Sequence, residues 1–499
     1  MKRILTLLLL AFLSTHFGYQ ASASEAAAAK KYRQKKYAEA ASLYFKAYSR
    51  SKSRKAEYGL AISLMKLNLN YSASKYFSVI ARRGRKASNP NFRKALEALG
   101  TINNKIRLGQ SQIIQLFRTK VNASDVPGRA RGFYFYYKGI ESFSKKRMDT
   151  ALRHFKKVPS GSEYYTKAVF HIGVISTLSS NHKKAISSFE KVLSLTRNKS
   201  RYSEMRELAY INIARINFEI KRFTSAIEYY GRIPRSSDHW LDAIWESSWG
   251  FFYMQKHNNT LGNIHTLHSP FFINRFYPES YILQAITFLR LCRYQQVNAS
   301  MKRFKSRYKP VFKDIKSILK RYKSNPKGFY RLIYDYNNTE KTRYPGAAEI
   351  LKKLTYLDIF RDARDTIRFS DRELSTLQRT QSKFRSSKLY SSLRNFLKRK
   401  KVAAVNDAGR RLYKQGTTFY SQLLELSNQT KLIVAEMQLG KLQKLRSTIS
   451  KSKNGSNVRF IGGMQKLDIG QSLEFWPFNN EYWEDELGYY VFNVDSQCK

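Results

Sequence analysis

The chain is short of several residue types, and each shortage narrows what it can be. Two cysteines in 499 residues, Cys292 and Cys498, cannot form the dense disulfide lattice of a small secreted domain. No CxxC or HxxxH spacing occurs, so a zinc site has no support in the sequence. Only 10 prolines and 23 glycines leave little room for long disordered linkers. Beyond the N-terminus no run of 18 apolar residues appears, which argues against a membrane-spanning helix. Acid is scarce: 36 Asp and Glu stand against 91 Lys and Arg. No carboxylate pair or nucleophile–base grouping stands at defined spacing, so an enzyme is not expected, and neither a cofactor nor a metal.

What is present is basic and aromatic. The formal net charge is +55, with 34 Tyr and 32 Phe. Aromatics at this density fill seams between stacked helices. The charge reads either as solvated helix faces or as attraction to a polyanion or an anionic membrane surface. It is spread along the chain, which weakens the case for one patch. Lys2-Arg3, the apolar Ile4–Phe12 and Ala21-Ser22-Ala23 have the form of a cleavable signal peptide, residues 1–23. The expectation is a mature protein that is periplasmic or secreted, with no transmembrane segment after signal removal. Export makes nucleic acid an unfavoured partner and excludes nuclear import for the basic run Arg82–Lys86. A Cys292–Cys498 disulfide is permitted there, though two cysteines alone do not decide whether they pair.

One pattern is written twice in residues 133–192. Gly139, Ala151, Phe155 and Val158 repeat as Gly173, Ala185, Phe189 and Val192, offset by 34 residues. Ala214, Ala226, Tyr230 and Ile233 continue it after an insertion near Asn198–Tyr202. Gly250, Gly262 and Thr266 follow, then Ala285, Val297, Met301 and Phe304. Upstream, Tyr37, Ala40, Tyr44 and Ala47 precede Ala61, Ala73, Phe77 and Ile80. A period near 34 built of two short helices predicts stacked hairpins. The small residue lets the partner helix approach, and the large one fills the space toward the next repeat. Each pair leaves an apolar face bare until its neighbour covers it.

The other segments are less regular. Residues 87–132 predict an irregular helical connector, with helices around Ala95–Ile106 and Ile113–Phe117. Residues 306–455 predict long antiparallel helices, a helical arm or coiled-coil hairpin, with Lys398–Lys401 between two of them. Residues 456–499 carry an acidic, aromatic stretch, Trp476 to Tyr490, with short strands expected at Leu473–Trp476 and Tyr489–Val494. That stretch folds back on the chain's own basic helices, docks a partner or a sugar, or holds catalytic carboxylates, for which nothing supplies an opposing acid at defined spacing. Trp476, Tyr482, Trp483, Asp485 and Glu486 are its candidate docking residues. Trp245 and Trp249 share a helix face and serve either the core or an aromatic ledge. His265 and His268, three apart, lack a carboxylate partner.

The ladder resembles the tetratricopeptide repeat family. The likeness covers residues 24–86 as an N-terminal pair and 133–305 as an array, and departs from the family at Gly262 and Thr266. The tail is similar to that of envelope tetratricopeptide proteins of predatory and gliding deltaproteobacteria, some tied to adventurous gliding motility. The resemblance implies an all-α, tetratricopeptide-type α-solenoid with a concave groove. The tail's likeness further implies an envelope assembly role, and the strand patterns add a small β-containing tail after the long helices. Counting from each small residue, it places groove contacts at Tyr136, Ile140, Phe143, Ile211, Arg215, Phe218, Phe251, Met254, Ile286 and Arg290. The expected function is a non-enzymatic periplasmic scaffold holding an envelope protein or peptide in that groove. The alternative is a basic module for peptidoglycan, anionic glycan or an anionic membrane surface.

Overall fold

A computed structural model describes residues 23–83, 91–106, 108, 113, 126–453 and 482–498, with backbone alone for 447–453. The signal peptide, most of the basic run Arg82–Lys86, the Ile113–Phe117 helix, the first tail strand and Trp476 fall wholly or mainly outside these residues. Among the described residues all regular structure is helical. The contacts divide the chain into two compact units, which part at Asn198, where the ladder carries its insertion.

The first unit holds residues up to Arg197, with Pro326–Tyr330 and Tyr356–Leu412. Its helices are α1 (23–33), α2 (Tyr37–Ser51), α3 (Arg54–Lys66), α4 (Asn70–Arg82), α5 (Phe92–Lys105), α6 (Gly128–Ser144), α7 (Met148–Lys156), α8 (Tyr165–Leu178) and α9 (His182–Thr196). Sequential helices pack on one another, α3 on α4, α6 on α7, α8 on α9. The reason is steric. A Cβ added to Gly139 would lie 2.5 Å from the ring of Phe155, and one on Gly173 would lie 2.8 Å from Phe189. Each ring therefore lies flat on the backbone of its own hairpin. Phe155 also meets His171 of the next hairpin at 5.1 Å between centroids, so the same ring seals both seams.

Helices α18 (Asp358–Gln378), α19 (Ser382–Arg385) and the first part of α20 (Lys388–Lys453) complete this unit. Leu377, Phe384, Leu389, Leu393 and Leu397 join the core of the N-terminal hairpins. Glu373 reaches the start of α4. Its carboxylate accepts from the Tyr71 and Ser72 N–H groups and from Ser72 Oγ at 2.8 Å. Leu69, at the N-cap, brings no side-chain cap of its own, so Glu373 supplies the acceptor from 300 residues away in sequence.

The second unit holds Asn198–Asn325, Arg331–Thr355 and Tyr413 onward. Its hairpins are α10 (Ser203–Glu219) with α11 (Phe223–Gly231), α12 (Trp240–Tyr253) with α13 (His257–Leu267), and α14 (Glu279–Arg290) with α15 (Tyr294–Tyr322). Most of α16 (Pro326–Thr339), all of α17 (Ala348–Thr355) and the rest of α20 belong here.

Three expectations change. Lys398–Lys401 does not separate two helices but lies inside α20, an uninterrupted helix of 66 residues. Nothing between Leu389 and Ala408 breaks a helix, and Lys, Arg and Ala favour one. The second expected strand, Tyr489–Val494, is irregular. Its backbone bonds go to helix α13 rather than to a neighbouring strand.

The third change is one of register. In each hairpin turn one residue takes a left-handed conformation: Lys146, Ser180, Lys221, Gln255 and Cys292, with φ of 52 to 62°. Four of these follow their small residue by seven positions. Gln255 follows Gly250 by five. The true members of the fourth copy are thus Ser248, Thr260, Ile264 and Leu267, at the same 12, 4 and 3 spacing and all buried. The N–H of Thr260 bonds to Lys256, as that of Ala151 bonds to Arg147. Gly250 and Gly262 are 12 apart by coincidence and imitate the ladder two residues out of step.

Candidate functional site

The corrected register decides which side chains occupy equivalent positions on the first helices of the second unit. Positions three before, one after and four after the small residue are Ile211, Arg215 and Phe218 in α10. In α12 the register puts Trp245, Trp249 and Phe252 there in place of Phe251 and Met254; all five are half-buried. Phe251 sits where the other copies bury Ser142, Ser176 and Asn217. Met254 is the cap residue of α12, with its sulfur 3.9 Å from Thr224 Oγ1.

These positions carry a continuous aromatic band. Trp245 meets Trp249 at 5.9 Å, Trp249 meets Phe252 at 5.9 Å and Tyr253 at 6.2 Å. Tyr253 stacks on Phe223 at 5.4 Å and touches Phe218 at 5.7 Å. Tyr253 is 55% exposed, and the other five rings are half-buried. The rigid hairpins beneath hold the rings in place. Arg215 forms a two-pronged pair with Glu246, 2.8 Å from Nε and 2.5 Å from Nη2, and Tyr230 donates to the same carboxylate at 2.8 Å. Glu246 therefore ties α10, α11 and α12 together, and Arg215 is committed to it.

The remaining predicted residues divide. Tyr136, Ile140 and Ile211 are buried and present no surface. Tyr136 lies among Phe155, Tyr164 and His171 because the aromatic-rich α6 turns rings inward on several faces. Phe143 and Ile286 are half-buried and Arg290 is exposed. Of the three flagged tryptophans, Trp240 is in the core, Trp245 is half-buried and packs against that core, and Trp249 is half-buried 5.9 Å from Trp245.

The tail folds back on the second unit as a strap along the second-helix side. Tyr482 stacks on His265 at 4.2 Å, and Leu487 enters the core beside Trp240. The Gly488 N–H donates to Thr266 Oγ1 at 2.9 Å. A Cβ on Gly262 would fall 1.6 Å from the Tyr490 carbonyl, so glycine there is required by the strap rather than by a hairpin. Val494 N–H donates to Asn258 Oδ1 at 3.0 Å, Arg293 Nε donates to the Asp495 carbonyl at 2.9 Å, and Cys498 is joined to Cys292. Rings, backbone and disulfide make this contact. The side chains of Glu484, Asp485 and Glu486 stay exposed, with Trp483 beside them. His268, three residues from His265, stacks on Tyr281 and bonds Ser280 Oγ at 2.8 Å. Burial lowers its pKa to about 3.

No family model matches the chain, and no curated protein matches it in sequence. Among solved structures it is similar to the apo form of RapI, with 10% identity and a TM-score of 0.32, over 79% of this chain and 99% of that one. It is also similar to yeast Tom70, with 14% identity and a TM-score of 0.27, over 88% of this chain and 100% of that one. Both overlaps are partial, and the tetratricopeptide-type reading of the fold rests on the hairpins, their 34-residue spacing and their shared turn. Among the described residues no helix is long and apolar enough to cross a membrane.

Proposed function

We propose that the protein is a non-enzymatic scaffold of the bacterial cell envelope that grips a partner polypeptide on the first-helix face of its second unit. The observation that carries this reading is the aromatic band of Trp245, Trp249, Phe252, Phe218, Phe223 and Tyr253. Large rings held rigidly at a surface give contact area at low entropic cost, which is why Trp and Tyr dominate binding hot spots. An extended or helical peptide with apolar side chains at regular spacing fits such a surface. Export is supported by the N-terminal sequence and by the Cys292–Cys498 disulfide, a bond that persists in oxidising compartments.

Affinity capture from envelope extract tests the proposal. The wild type should retain a defined partner, and Trp249→Ala with Phe252→Ala should lose it by a factor of ten or more, about 1.4 kcal/mol or above. Phe143→Ala, at the first unit's equivalent position, should not. Equal recovery with the wild type and the Trp249→Ala/Phe252→Ala variant would remove the band from the account.

A further inference from the structure

A second surface of the same unit is built differently. A cavity of about 580 Å³ opens between α15 and the second half of α20, within the size range of small-ligand pockets. Met301, Phe304, Tyr308, Phe312 and Val434 give it an apolar wall. Lys302, Lys305, Lys309 and Lys431 also line it, all exposed, together with Asn298, Ser427 and Thr430. None of its twelve lining residues is acidic.

Three of the four lysines stand along one face of α15. Lys302, Lys305 and Lys309 stand at three- and four-residue spacing, so their charges repel along one face of α15. Two carboxylates of the unit have partners of their own: Asp314 accepts from the Gly346 N–H at 2.9 Å, and Glu279 accepts from Gln422 at 3.0 Å. Glu425 and Glu436 stand exposed on α20, two residues from Ser427 and Val434. Pro310, near the end of the lined stretch of α15, cannot donate to the helix ladder. An apolar wall beside four exposed lysines, of which Lys431 donates to Asn428 Oδ1 at 3.2 Å, matches a ligand with a hydrocarbon part and an anionic head.

We propose that this cleft binds a single-chain anionic amphiphile, its alkyl chain on Met301, Phe304, Phe312 and Val434 and its carboxylate or phosphate among the lysines. The site is distinct from the aromatic band. The size favours one acyl chain over a peptide helix.

Calorimetric titration of the full-length chain with dodecanoate and with dodecyl phosphate, both below micelle formation, tests this. Saturable binding of one molecule per chain is expected. Tighter binding of the carboxylate would indicate a fatty-acid ligand, and tighter binding of the phosphate a lysophospholipid-type head. Lys305→Glu with Lys309→Glu, and separately the cleft-filling Thr430→Trp, should each weaken binding by about tenfold or more. Circular dichroism confirms that both variants fold. Lys183→Glu with Lys199→Glu, a charge reversal in α9 and in the Asn198–Tyr202 insertion, should leave binding unchanged. Absence of saturable binding, equal weakening by the Lys183/Lys199 pair, or acetate binding as tightly as dodecanoate would each overturn the proposal.

Discussion

Replacing Gly139 with alanine should destabilise the α6–α7 hairpin by about 1–3 kcal/mol. The sign is the point. In an exposed helix the same change stabilises by up to about 1 kcal/mol, because alanine is the better helix former. Here the new methyl would lie 2.5 Å from a ring carbon of Phe155. Phe155 is 1% exposed and wedged against Tyr136 and His171, so it cannot swing away cheaply. A double-mutant cycle with Phe155→Leu separates the causes: the alanine penalty should shrink once the ring is gone. Amide hydrogen exchange of α6 reads the change locally. A Gly139→Ala chain more protected than the wild type would mean that the ring does not rest on the backbone.

The second large effect concerns Glu373. Glu373→Ala should weaken α4 by about 2–3 kcal/mol, since it strips two buried N–H groups and a hydroxyl of their acceptor. Burial raises the pKa of Glu373 from 4.5 to about 7, and its bonds from Ser72 and Tyr71 pull it partly back. The folded state therefore holds this proton more tightly than the unfolded chain. Its contribution is full below pH 4.5 and is lost as the pH rises through 7, at up to about 1.4 kcal/mol per pH unit. Subtracting Glu373→Gln from the wild type isolates the residue, because glutamine fills the site and does not titrate. The difference should fall between pH 4.5 and 7; a flat difference would show that the carboxyl carries no proton there. Glu349 of the second unit, raised by burial to about 7 beside Arg307 at 3.3 Å, cancels in the subtraction.

The helical repeat was legible because its period is a packing constraint. Wherever a ring must lie on a neighbour's backbone, the small residue and the ring recur at fixed separation. The fourth copy was misread for a related reason. Ser248 and Thr260 are small enough for the seam but do not stand out, whereas Gly250 and Gly262 do. The left-handed turn at Gln255 fixes the register, yet Lys, Ser, Gln and Cys at those turns leave no compositional mark. Trp245 and Trp249 are legible as a pair on one helix face, but not that both stay half-buried, with Trp245 resting on the core beneath. The strap's path was hidden because its contacts join residues more than 200 positions apart in sequence. The Glu373 cap, the disulfide pairing and the lysine-lined cleft depend on the same long-range folding. Helix α20 was divided by its loss of apolar periodicity at Lys398–Lys401. That loss reflects a stretch with fewer core partners, with Val402 exposed and Lys401 paired to Asp371.

Site-specific photo-crosslinking in living cells tests the central claim most directly. A photoreactive phenylalanine analogue would replace Trp245, Trp249, Phe251 or Phe252 in turn, each in the otherwise native chain. The account predicts one common adduct from positions 245, 249 and 252 and none from 251, which holds the position where the other copies bury Ser142, Ser176 and Asn217. An adduct from 251 with none from 249 and 252 would contradict both the register and the proposed partner face.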